Sequence, residues 1–524
     1  MKPTPDARRL TPDTVGPTPD WLADQARQRP HAPAVIGAGA ALTYAELDAW
    51  ATELAAELAA HGIAPGEPVG AWLPLTIDSV VAVHAIARAG AVLVPLNTRL
   101  TTDELAWQIG HVGARFVVVG GGEAPVLPEG VAAIMRGARS VERSDTSRSP
   151  LPAPRPTPLA PRSTPHAPPA TLHDIQSIVF TSGTSGQPKG ALLSFANQFW
   201  SALASALRIG VLPGDRWLCP LPLYHVGGQA IVWRSVLYGT AMILATSSRV
   251  EDLARDLREH AATLISLVPT QLHRLLDHDA DALRGVRLVL LGGAAATPEL
   301  MARAQAAGIR VAPTYGLTES ASQIATQRPE DALRKPGSVG KALPWSRIRV
   351  LTDTGAEAAP GTPGEFVIDG PTVFHGYWRD VSATRSALRD GVLHTGDIGY
   401  VDDEGDLWVL QRRTDLIVSG GENVYPAEVE AVLADHPAVA QACVVGLADA
   451  EWGQRVAAAV VLAPGATPTE AELITFARQS LAGYKVPRIV RFVEALPLTA
   501  SGKVLRRVVV EFLLSPCPST PSTA

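Results

Sequence analysis

Residues 175–200 read IQSIVFTSGTSGQPKGALLSFANQFW and contain the most informative loop of the chain. An apolar, strand-like run leads into the loop, and a helix-like run follows it. Glycines let backbone N–H groups approach an anion closely, while hydroxyls add donors and a lysine adds positive charge. The loop residues concerned are Thr181, Ser182, Gly183, Thr184, Ser185, Gly186 and Lys189. The segment therefore predicts a triphosphate-binding loop, although it lacks the G-K-[ST] ending of a Walker A motif. A flexible Ser/Gly linker is the alternative, which the strand and helix on either side disfavour.

The sequence around this loop alternates between helical and strand-like runs. AELDAWATELAAELAAHG (residues 45–62) and SVVAVHAIARAG (79–90) have helical periodicity and end at glycine. Short apolar runs lie between and after them, at EPVGAWLP, AVLVPL and ARFVVVG. This alternation predicts an α/β fold with a largely parallel sheet.

The length of 524 residues exceeds what one core normally supports, so at least two domains are expected. After about residue 345, short strands separated by turn signals replace the earlier pattern. We expect a large N-terminal domain of mixed and parallel sheets with packed helices (residues 21–411) and a small α+β domain (412–514). Residues 1–20, the Pro-rich insertion 143–170 and the tail 515–524 cannot bury enough apolar surface and are expected to be disordered.

Composition restricts the classes of partner. A formal net charge of −6 gives no sign of the positively charged surface that nucleic-acid binding requires. The three cysteines share no metal or redox spacing, which is typical of a reducing compartment. The N-terminal segment lacks an apolar signal core, and no stretch reaches the roughly 18 apolar residues that a bilayer span needs. We expect a cytoplasmic protein without stable membrane insertion, and the sequence leaves open whether it forms a homo-oligomer.

The loop TSGTSGQPKG resembles the signature loop of the adenylate-forming superfamily, which includes acyl-CoA synthetases, peptide-synthetase adenylation domains and luciferases. The resemblance runs in order from about Trp21 to Arg507, with the proline-rich insertion as its main departure. It implies an ATP- and Mg²⁺-dependent ligase that activates a carboxylic acid as an acyl-adenylate. The form SGGENVYPAEVE is closer to acyl-CoA ligases than to peptide-synthetase domains, so free coenzyme A is the implied acceptor.

The resemblance also implies roles for residues that would bind the nucleotide. In YGLTE, Tyr315 would stack on adenine, Thr318 would contact the α-phosphate and Glu319 would help to hold Mg²⁺. A carboxylate beside a phosphate is repulsive unless a hard cation lies between them. Asp397, in HTGDIGY, would accept both ribose hydroxyls; outside this context it could be an ordinary turn residue. The remaining implied nucleotide contacts are Gly293, Ala294, Ala295, Gly316 and Arg412.

Lys503, in LPLTASGKVLRR, matches the family's catalytic lysine. Negative charge builds up on the phosphate oxygens as the carboxylate attacks, and a fixed ammonium would stabilise it. By itself, this lysine would suggest no more than a solvated basic strand. Adenylation and thioester formation need the same space, so the small domain should rotate between the two steps about a hinge near residues 411–415. The hinge residue stays undetermined, because many relatives carry aspartate where this chain has Thr414.

The thiol would arrive through a narrow tunnel lined by Gly420 and Gly421. Trp452, in EWGQ, could flank this tunnel by resemblance, or it could simply be a packing residue.

The segment LPLYHVGGQAIVWRSVLYG (residues 221–239) matches the family's acyl-pocket region, with His225 at the gate and counted among the catalytic positions. With its neighbouring motifs it is most similar to the o-succinylbenzoate–CoA ligases of menaquinone synthesis. That substrate is a dicarboxylate, so its second carboxylate needs a counter-charge. Arg234 is the candidate, because an arginine in apolar surroundings is costly unless it is paired. Ser322 and Gln323 are weaker candidates for the same pocket.

Two questions about Arg234 stay open at this stage. It could pair with an internal acid, and a helix running continuously from His225 would place it on the opposite face at ~100° per residue. A helix start shifted by the Gly227-Gly228 pair would remove this second difficulty. A benzoate, coumarate or medium-chain fatty acid ligase is an alternative of the same class. An inactive nucleotide-binding sensor is an alternative of another class, which the joint presence of Glu319, Asp397, Arg412 and Lys503 disfavours.

Overall fold

The structure is a computed structural model. It describes residues 20–37, 39–136, 171–181, 188–294, 296–411, 416–497 and 504–514. The predicted insertion, the tail, nearly all of the N-terminal segment and residues 412–415 of the predicted hinge (411–415) lie outside these ranges, so those predictions stay untested.

The described helices and strands follow the alternation that the sequence predicts. The α-helices are α1 (Trp21–Gln28), α2 (Tyr44–Ala60), α3 (Ile77–Arg88), α4 (Thr102–Val112), α5 (Phe195–Ile209), α6 (Val226–Tyr238), α7 (Val250–Glu259), α8 (Pro269–Asp279), α9 (Pro298–Ala306), α10 (Val381–Ala387), α11 (Pro426–Ala434), α12 (Glu470–Ser480) and α13 (Arg506–Leu514). Short 3₁₀ helices cover Ala280–Leu283 and Thr318–Ser320. The strands are β1 (Pro33–Gly37), β2 (Ala40–Thr43), β3 (Pro68–Trp72), β4 (Val92–Leu96), β5 (Phe116–Val119), β6 (Ala132–Met135), β7 (Ile175–Thr181), β8 (Lys189–Ser194), β9 (Arg216–Cys219), β10 (Ala241–Leu244), β11 (Leu264–Leu267), β12 (Leu288–Leu291), β13 (Val311–Leu317), β14 (Ser322–Thr326), β15 (Lys341–Ala342), β16 (Arg347–Leu351), β17 (Gly364–Asp369), β18 (Leu388–Arg389), β19 (Val392–Val401), β20 (Leu407–Gln411), β21 (Ile417–Ser419), β22 (Glu422–Val424), β23 (Val439–Asp449), β24 (Gly453–Leu462) and β25 (Ile489–Phe492).

Two mixed sheets carry most of the chain before residue 345. One has the order β6-β5-β3-β4-β7-β8 and is parallel apart from the last pair. The other has the order β15-β14-β13-β12-β11-β9-β10-β1-β2, with antiparallel pairing at both ends. Parallel neighbours need crossover connections, which the intervening helices supply. The prediction of an α/β fold with mixed and parallel sheets is confirmed.

After about residue 345, where the sequence pattern changes to short strands separated by turns, the chain forms two smaller sheets. Strands β16 to β20 form an antiparallel sheet of their own. Strands β21 to β25 form a mixed sheet, in which β25 pairs parallel with β24 and the other pairs are antiparallel. This sheet packs with α11, α12 and α13 around a core made of residues from this part of the chain alone. We call residues 416–497 and 504–514 the C-terminal unit, and the described residues before them the main unit. The C-terminal unit has the predicted α+β composition, whereas the boundary at residue 412 stays a prediction.

Several helices begin where the sequence supplies a complete capping box. Thr43 and Glu46 cap α2, and Thr101 and Glu104 cap α4 in the same way. In each case the glutamate accepts the threonine backbone N–H at 2.8 Å, and the threonine hydroxyl accepts the glutamate N–H. This satisfies backbone donors that have no partner within the helix. Among the described helices, none has the length and apolar character that crossing a bilayer requires.

Candidate active site

A cavity of about 410 Å³ lies where the parallel strands of the nine-stranded sheet end. Residues directly after β9, β11, β12 and β13 line it, and Thr181 at the end of β7 reaches it from the other large sheet. Carboxyl ends of parallel strands meet at one edge of a sheet, which is where ligands bind in α/β proteins. The topology therefore places the cavity where this fold class binds ligands.

Most of the described residues that the sequence singled out line this cavity. They are Thr181, His225, Arg234, Gly293, Gly316, Thr318, Glu319, Ser322, Gln323, Asp397, Gly420, Gly421 and Trp452. The last three belong to the C-terminal unit, so both units contribute to the wall.

Asp397 is held in place by Tyr315. The Tyr315 hydroxyl donates to Asp397 Oδ2 at 2.6 Å, and the tyrosine is 1% exposed. Tyr315 lies behind the cavity wall, while its neighbour Gly316 forms part of it. A Cβ at Gly316 would lie 1.7 Å from the carbonyl oxygen of Ser322, so the chain requires glycine there. The adenine-stacking role of Tyr315 stays a prediction.

The turn after β13 carries unusual backbone geometry. Ala321 and Ser322 have φ values of 52° and 90°, a region that side-chain-bearing residues rarely adopt. Such conformations concentrate at functional sites. The turn directs Glu319 and Ser322 to the same cavity.

Glu319 is buried and oriented by a tyrosine that the sequence analysis missed. The Tyr377 hydroxyl donates to Glu319 Oε1 at 2.7 Å, and Lys189 Nζ lies 5.5 Å from the centre of the Tyr377 ring. In the described ranges, no group of three or more His, Cys, Asp and Glu residues could hold a metal by itself. One carboxylate beside a phosphate site still suits Mg²⁺, which is commonly bound through one or two carboxylates together with substrate phosphates.

His225 reaches the cavity because it precedes its helix. Its φ and ψ of −95° and 147° are extended, and α6 begins at Val226. This answers the open question about His225 and Arg234, since helical angles do not apply to the residue before the helix. Both side chains line the cavity.

Glu422 of the C-terminal unit meets His225 at the centre of the site. Its carboxylate lies 2.8 Å from His225 Nε2, accepts the Tyr224 hydroxyl at 2.9 Å and pairs with Arg99 at 3.1 Å. Burial by itself would raise the pKa of Glu422, but His225, Arg99 and the Tyr224 hydrogen bond outweigh it and lower the pKa to about 2. Sequence analysis passed over this residue, although it directly follows the predicted tunnel glycines in SGGEN.

Arg234 is a buried cation that lines the cavity. It is 2% exposed, and its Nε and Nη2 atoms have no hydrogen-bond partner among the described residues. Within the same ranges no carboxylate pairs with it, which leaves the internal-acid alternative without support. Burial lowers the pKa of Arg234, and its guanidinium lies 5.7 Å from the centre of the Trp217 ring. Gln323 Oε1 also lacks a partner within the described part of the chain.

Gly420, Gly421 and Trp452 form one compact part of the wall. Gly420 has φ 60°, and a Cβ there would lie 2.8 Å from the Trp452 ring. The Gly420 N–H donates to the Trp452 carbonyl at 2.8 Å. Trp452 thus packs on the glycine pair and lines the cavity at once.

The remaining predicted positions include one that does not line the cavity and several that lie outside the described ranges. Ala294 lies next to the wall without forming part of it. The predicted residues outside the described ranges are Ser182, Gly183, Thr184, Ser185, Gly186, Ala295, Arg412 and Lys503. Their roles stay predictions.

Family models match both units of the chain. The model described as AMP-binding enzyme matches residues 22–378, and the model described as AMP-binding enzyme C-terminal domain matches residues 428–503. The chain belongs to the AMP-binding enzyme family. This AMP-binding enzyme is also 39% identical over 491 residues to a 2-succinylbenzoate–CoA ligase of Bacillus licheniformis, which covers 93% of the chain and 98% of that protein.

Two solved structures of one relative allow a comparison of conformations. Both are o-succinylbenzoate CoA synthetase from Bacillus subtilis. A double mutant bound with its product analogue OSB-NCoA matches with a TM-score of 0.86 and 35% identity, covering 95% of this chain and 99% of that one. The complex with the acyl-adenylate intermediate OSB-AMP matches with a TM-score of 0.69 and 34% identity, covering 94% and 98%. Sequence similarity is nearly equal, so the arrangement of this AMP-binding enzyme is closer to the product-analogue complex.

Proposed function

We propose that this AMP-binding enzyme is an AMP-forming 2-succinylbenzoate–CoA ligase. The acid and ATP would give an acyl-adenylate and diphosphate, and coenzyme A would then displace AMP to give the thioester. The pathway would be menaquinone biosynthesis, as the sequence resemblance implies. We also propose a cytoplasmic location, where ATP and coenzyme A are available.

Arg234 is the observation that supports this substrate most directly. A buried guanidinium without a protein carboxylate is costly, and an anionic ligand group would offset that cost. A dicarboxylate supplies such a group at one end while the other carboxylate reacts. A fatty acid or simple benzoate offers no second anion to this position.

In the first step, a carboxylate oxygen attacks the α-phosphorus and the bond to diphosphate breaks. The loop from Thr181 to Lys189 would bind the β- and γ-phosphates, and Asp397 would hold the ribose through the position that Tyr315 fixes. Lys503 would stabilise the negative charge that develops at the α-phosphate. Glu319 would help to hold Mg²⁺, which would supply positive charge beside the phosphates.

In the second step, the thiol sulfur attacks the acyl carbon and the bond to AMP breaks. The thiol would reach the acyl group past Gly420, Gly421 and Trp452. Glu422 binds His225 in the present arrangement, which would keep the imidazole away from the path of the thiol. The higher similarity to the product-analogue complex supports this arrangement as the thioester-forming one.

A panel of acids tests the proposal. Purified protein with ATP, Mg²⁺ and coenzyme A would be offered o-succinylbenzoate, benzoate, coumarate and octanoate, and the thioesters would be measured by mass spectrometry. We expect the o-succinylbenzoyl thioester, with kcat/KM about a hundredfold or more above each monocarboxylate, because removing one partner of a buried charge pair costs ~2–5 kcal/mol. A preference for a monocarboxylate would refute the substrate but keep the ligase. Diphosphate release that depends on no acid would refute the ligase as well.

A further inference from the structure

A buried lysine joins the two units beside the substrate cavity. Lys485 lies between α12 and β25 in the C-terminal unit, and its side chain is 4% exposed. Its Nζ donates to Glu428 Oε1 at 2.6 Å and to Glu104 Oε1 at 2.7 Å. Glu428 lies on α11 of the C-terminal unit, whereas Glu104 lies on α4 of the main unit. None of the three residues lines the main cavity, although Lys485 lines a smaller pocket of about 70 Å³ that shares His225 and Glu422 with it.

Glu104 is held in place by its own helix. Its other oxygen, Oε2, accepts the Thr101 N–H at 2.8 Å and the Thr101 hydroxyl at 3.0 Å as part of the capping box. The carboxylate therefore presents a fixed oxygen to Lys485, and little side-chain entropy is lost when the pair forms. The neighbouring Tyr484 hydroxyl accepts Asn97 Nδ2 at 3.2 Å, which adds a second contact between the units at the same place.

We propose that Lys485 and Glu104 are a positioning pair that stabilises the thioester-forming arrangement of the two units. This inference rests on the proposed two-step reaction, because that reaction requires the C-terminal unit to take up two placements. Glu428 moves with Lys485 and can neutralise it in both placements. Glu104 belongs to the main unit and can do so in one of them.

The consequence for the reaction follows from this asymmetry. An interaction present in one of two states shifts the population toward that state by the free energy of the interaction. Removing Glu104 should therefore lower the share of molecules poised for thioester formation and leave adenylation intact. The contacts of Glu422 with His225 and Arg99 also join the units, but Arg99, His225 and Glu422 line the cavity, where substrates compete for them. Glu104 lines neither the main cavity nor the smaller pocket beside it, so the main-unit partner of Lys485 is removed from that competition.

Glu104→Gln is the informative variant, since glutamine at this helix position can still accept the Thr101 N–H and preserve the capping box. Its matched control is Glu46→Gln, which changes the same position of the same motif in α2, where no contact with the C-terminal unit is recorded among the described residues. The two half-reactions would be measured separately: adenylation by diphosphate exchange, and thioester formation in a single turnover from supplied acyl-adenylate. For Glu104→Gln we expect thioester formation to fall about tenfold and adenylation to stay within about twofold of wild type. Glu46→Gln should leave both rates unchanged.

The charge-reversed pair, Glu104→Lys and Glu46→Lys, extends the comparison. Glu104→Lys should slow thioester formation more strongly than Glu104→Gln, because it places a cation opposite Lys485. An equal loss of both half-reactions in the Glu104 variants, or no loss in either, would overturn the proposal.

A structural measurement separates this inference from the proposed function. Spin labels at Glu53→Cys and Arg478→Cys, both at exposed positions, would report the distance between the units in the ligand-free protein with Cys517→Ser. We expect one dominant distance for the wild-type pair and a second, enlarged population with Glu104→Gln. An unchanged distribution would refute the positioning role even if the acid specificity proved different, while an inactive wild type with the expected shift would refute the function alone.

Discussion

Two buried cations of this AMP-binding enzyme differ in how they are neutralised. Lys485 is 3% exposed and lies between two carboxylates from different units. Arg234 is 2% exposed and has no carboxylate partner within the described ranges. The desolvation cost is severe for both charges, yet the protein itself offsets it for Lys485 alone. The difference distinguishes a cation that orders the structure from one positioned for a ligand.

The electrostatic surroundings agree with this distinction. Burial lowers the pKa of a lysine, but Glu428 and Glu104 outweigh it and raise the pKa of Lys485. Burial lowers the pKa of Arg234, and the electrostatic interaction with Tyr238 opposes this only in part. Retaining the charge on Arg234 thus costs stability in the ligand-free protein, and this cost is recovered when an anion binds.

The largest effect that we expect is on stability: replacement by methionine should strongly destabilise the protein at Lys485 but not at Arg234. Lys485→Met leaves two buried carboxylates without their cation and should lower the free energy of unfolding by about 3–5 kcal/mol. Arg234→Met replaces an unpaired charge with an apolar chain and should leave stability within about 1 kcal/mol of wild type or raise it. Urea unfolding of the ligand-free proteins, followed by tryptophan fluorescence, measures both. A large loss in Arg234→Met would mean that the arginine has a structural partner.

Arg234→Met should instead fail in substrate selection. We expect kcat/KM for o-succinylbenzoate to fall about a hundredfold, or ~2.7 kcal/mol, because the second carboxylate loses its counter-charge. The matched substrate is 3-benzoylpropionate, which lacks the ring carboxylate and should be used almost equally by both proteins. Equal losses on the two acids would show that Arg234 supports the pocket without recognising the anion.

Local sequence patterns predicted those parts of the molecule that depend on local chemistry. Helical and strand-like periodicity identified α2, α3 and β3 to β5, and the position of the loop after β7 followed from the strand before it. Arg234 was identifiable because a single charge in an apolar run is conspicuous. Whether His225 and Arg234 lie on opposite faces stayed open in the sequence, because periodicity does not show at which residue a helix begins.

The contacts between the units could not be predicted in this way. Glu422 meets His225 across 197 residues, and Lys485 meets Glu104 across 381. Nothing in the local pattern around Glu104 distinguishes it from Glu46, since both complete a capping box with a threonine. The tertiary arrangement decides which of two equivalent glutamates also binds the C-terminal unit.

The smallest effect that we expect concerns the pH dependence of stability, to which Glu422 and Glu428 should contribute with opposite signs. The pKa of Glu422 is lowered to about 2, so its contribution to stability is present above its usual value of about 4.5 and is lost as the pH falls toward 2. The stability difference between wild type and Glu422→Gln, of order 2 kcal/mol at neutral pH, should therefore shrink below about pH 4.5.

Burial raises the pKa of Glu428, and Lys485 opposes this only in part. The contribution of Glu428 to stability is therefore greatest at low pH and is lost as the pH rises through the raised pKa. The difference between wild type and Glu428→Gln should accordingly shift in favour of wild type as the pH falls. Urea unfolding from pH 3 to 8 tests both, and slopes of the same sign would show that the two carboxylates are not in the opposed environments that the structure describes.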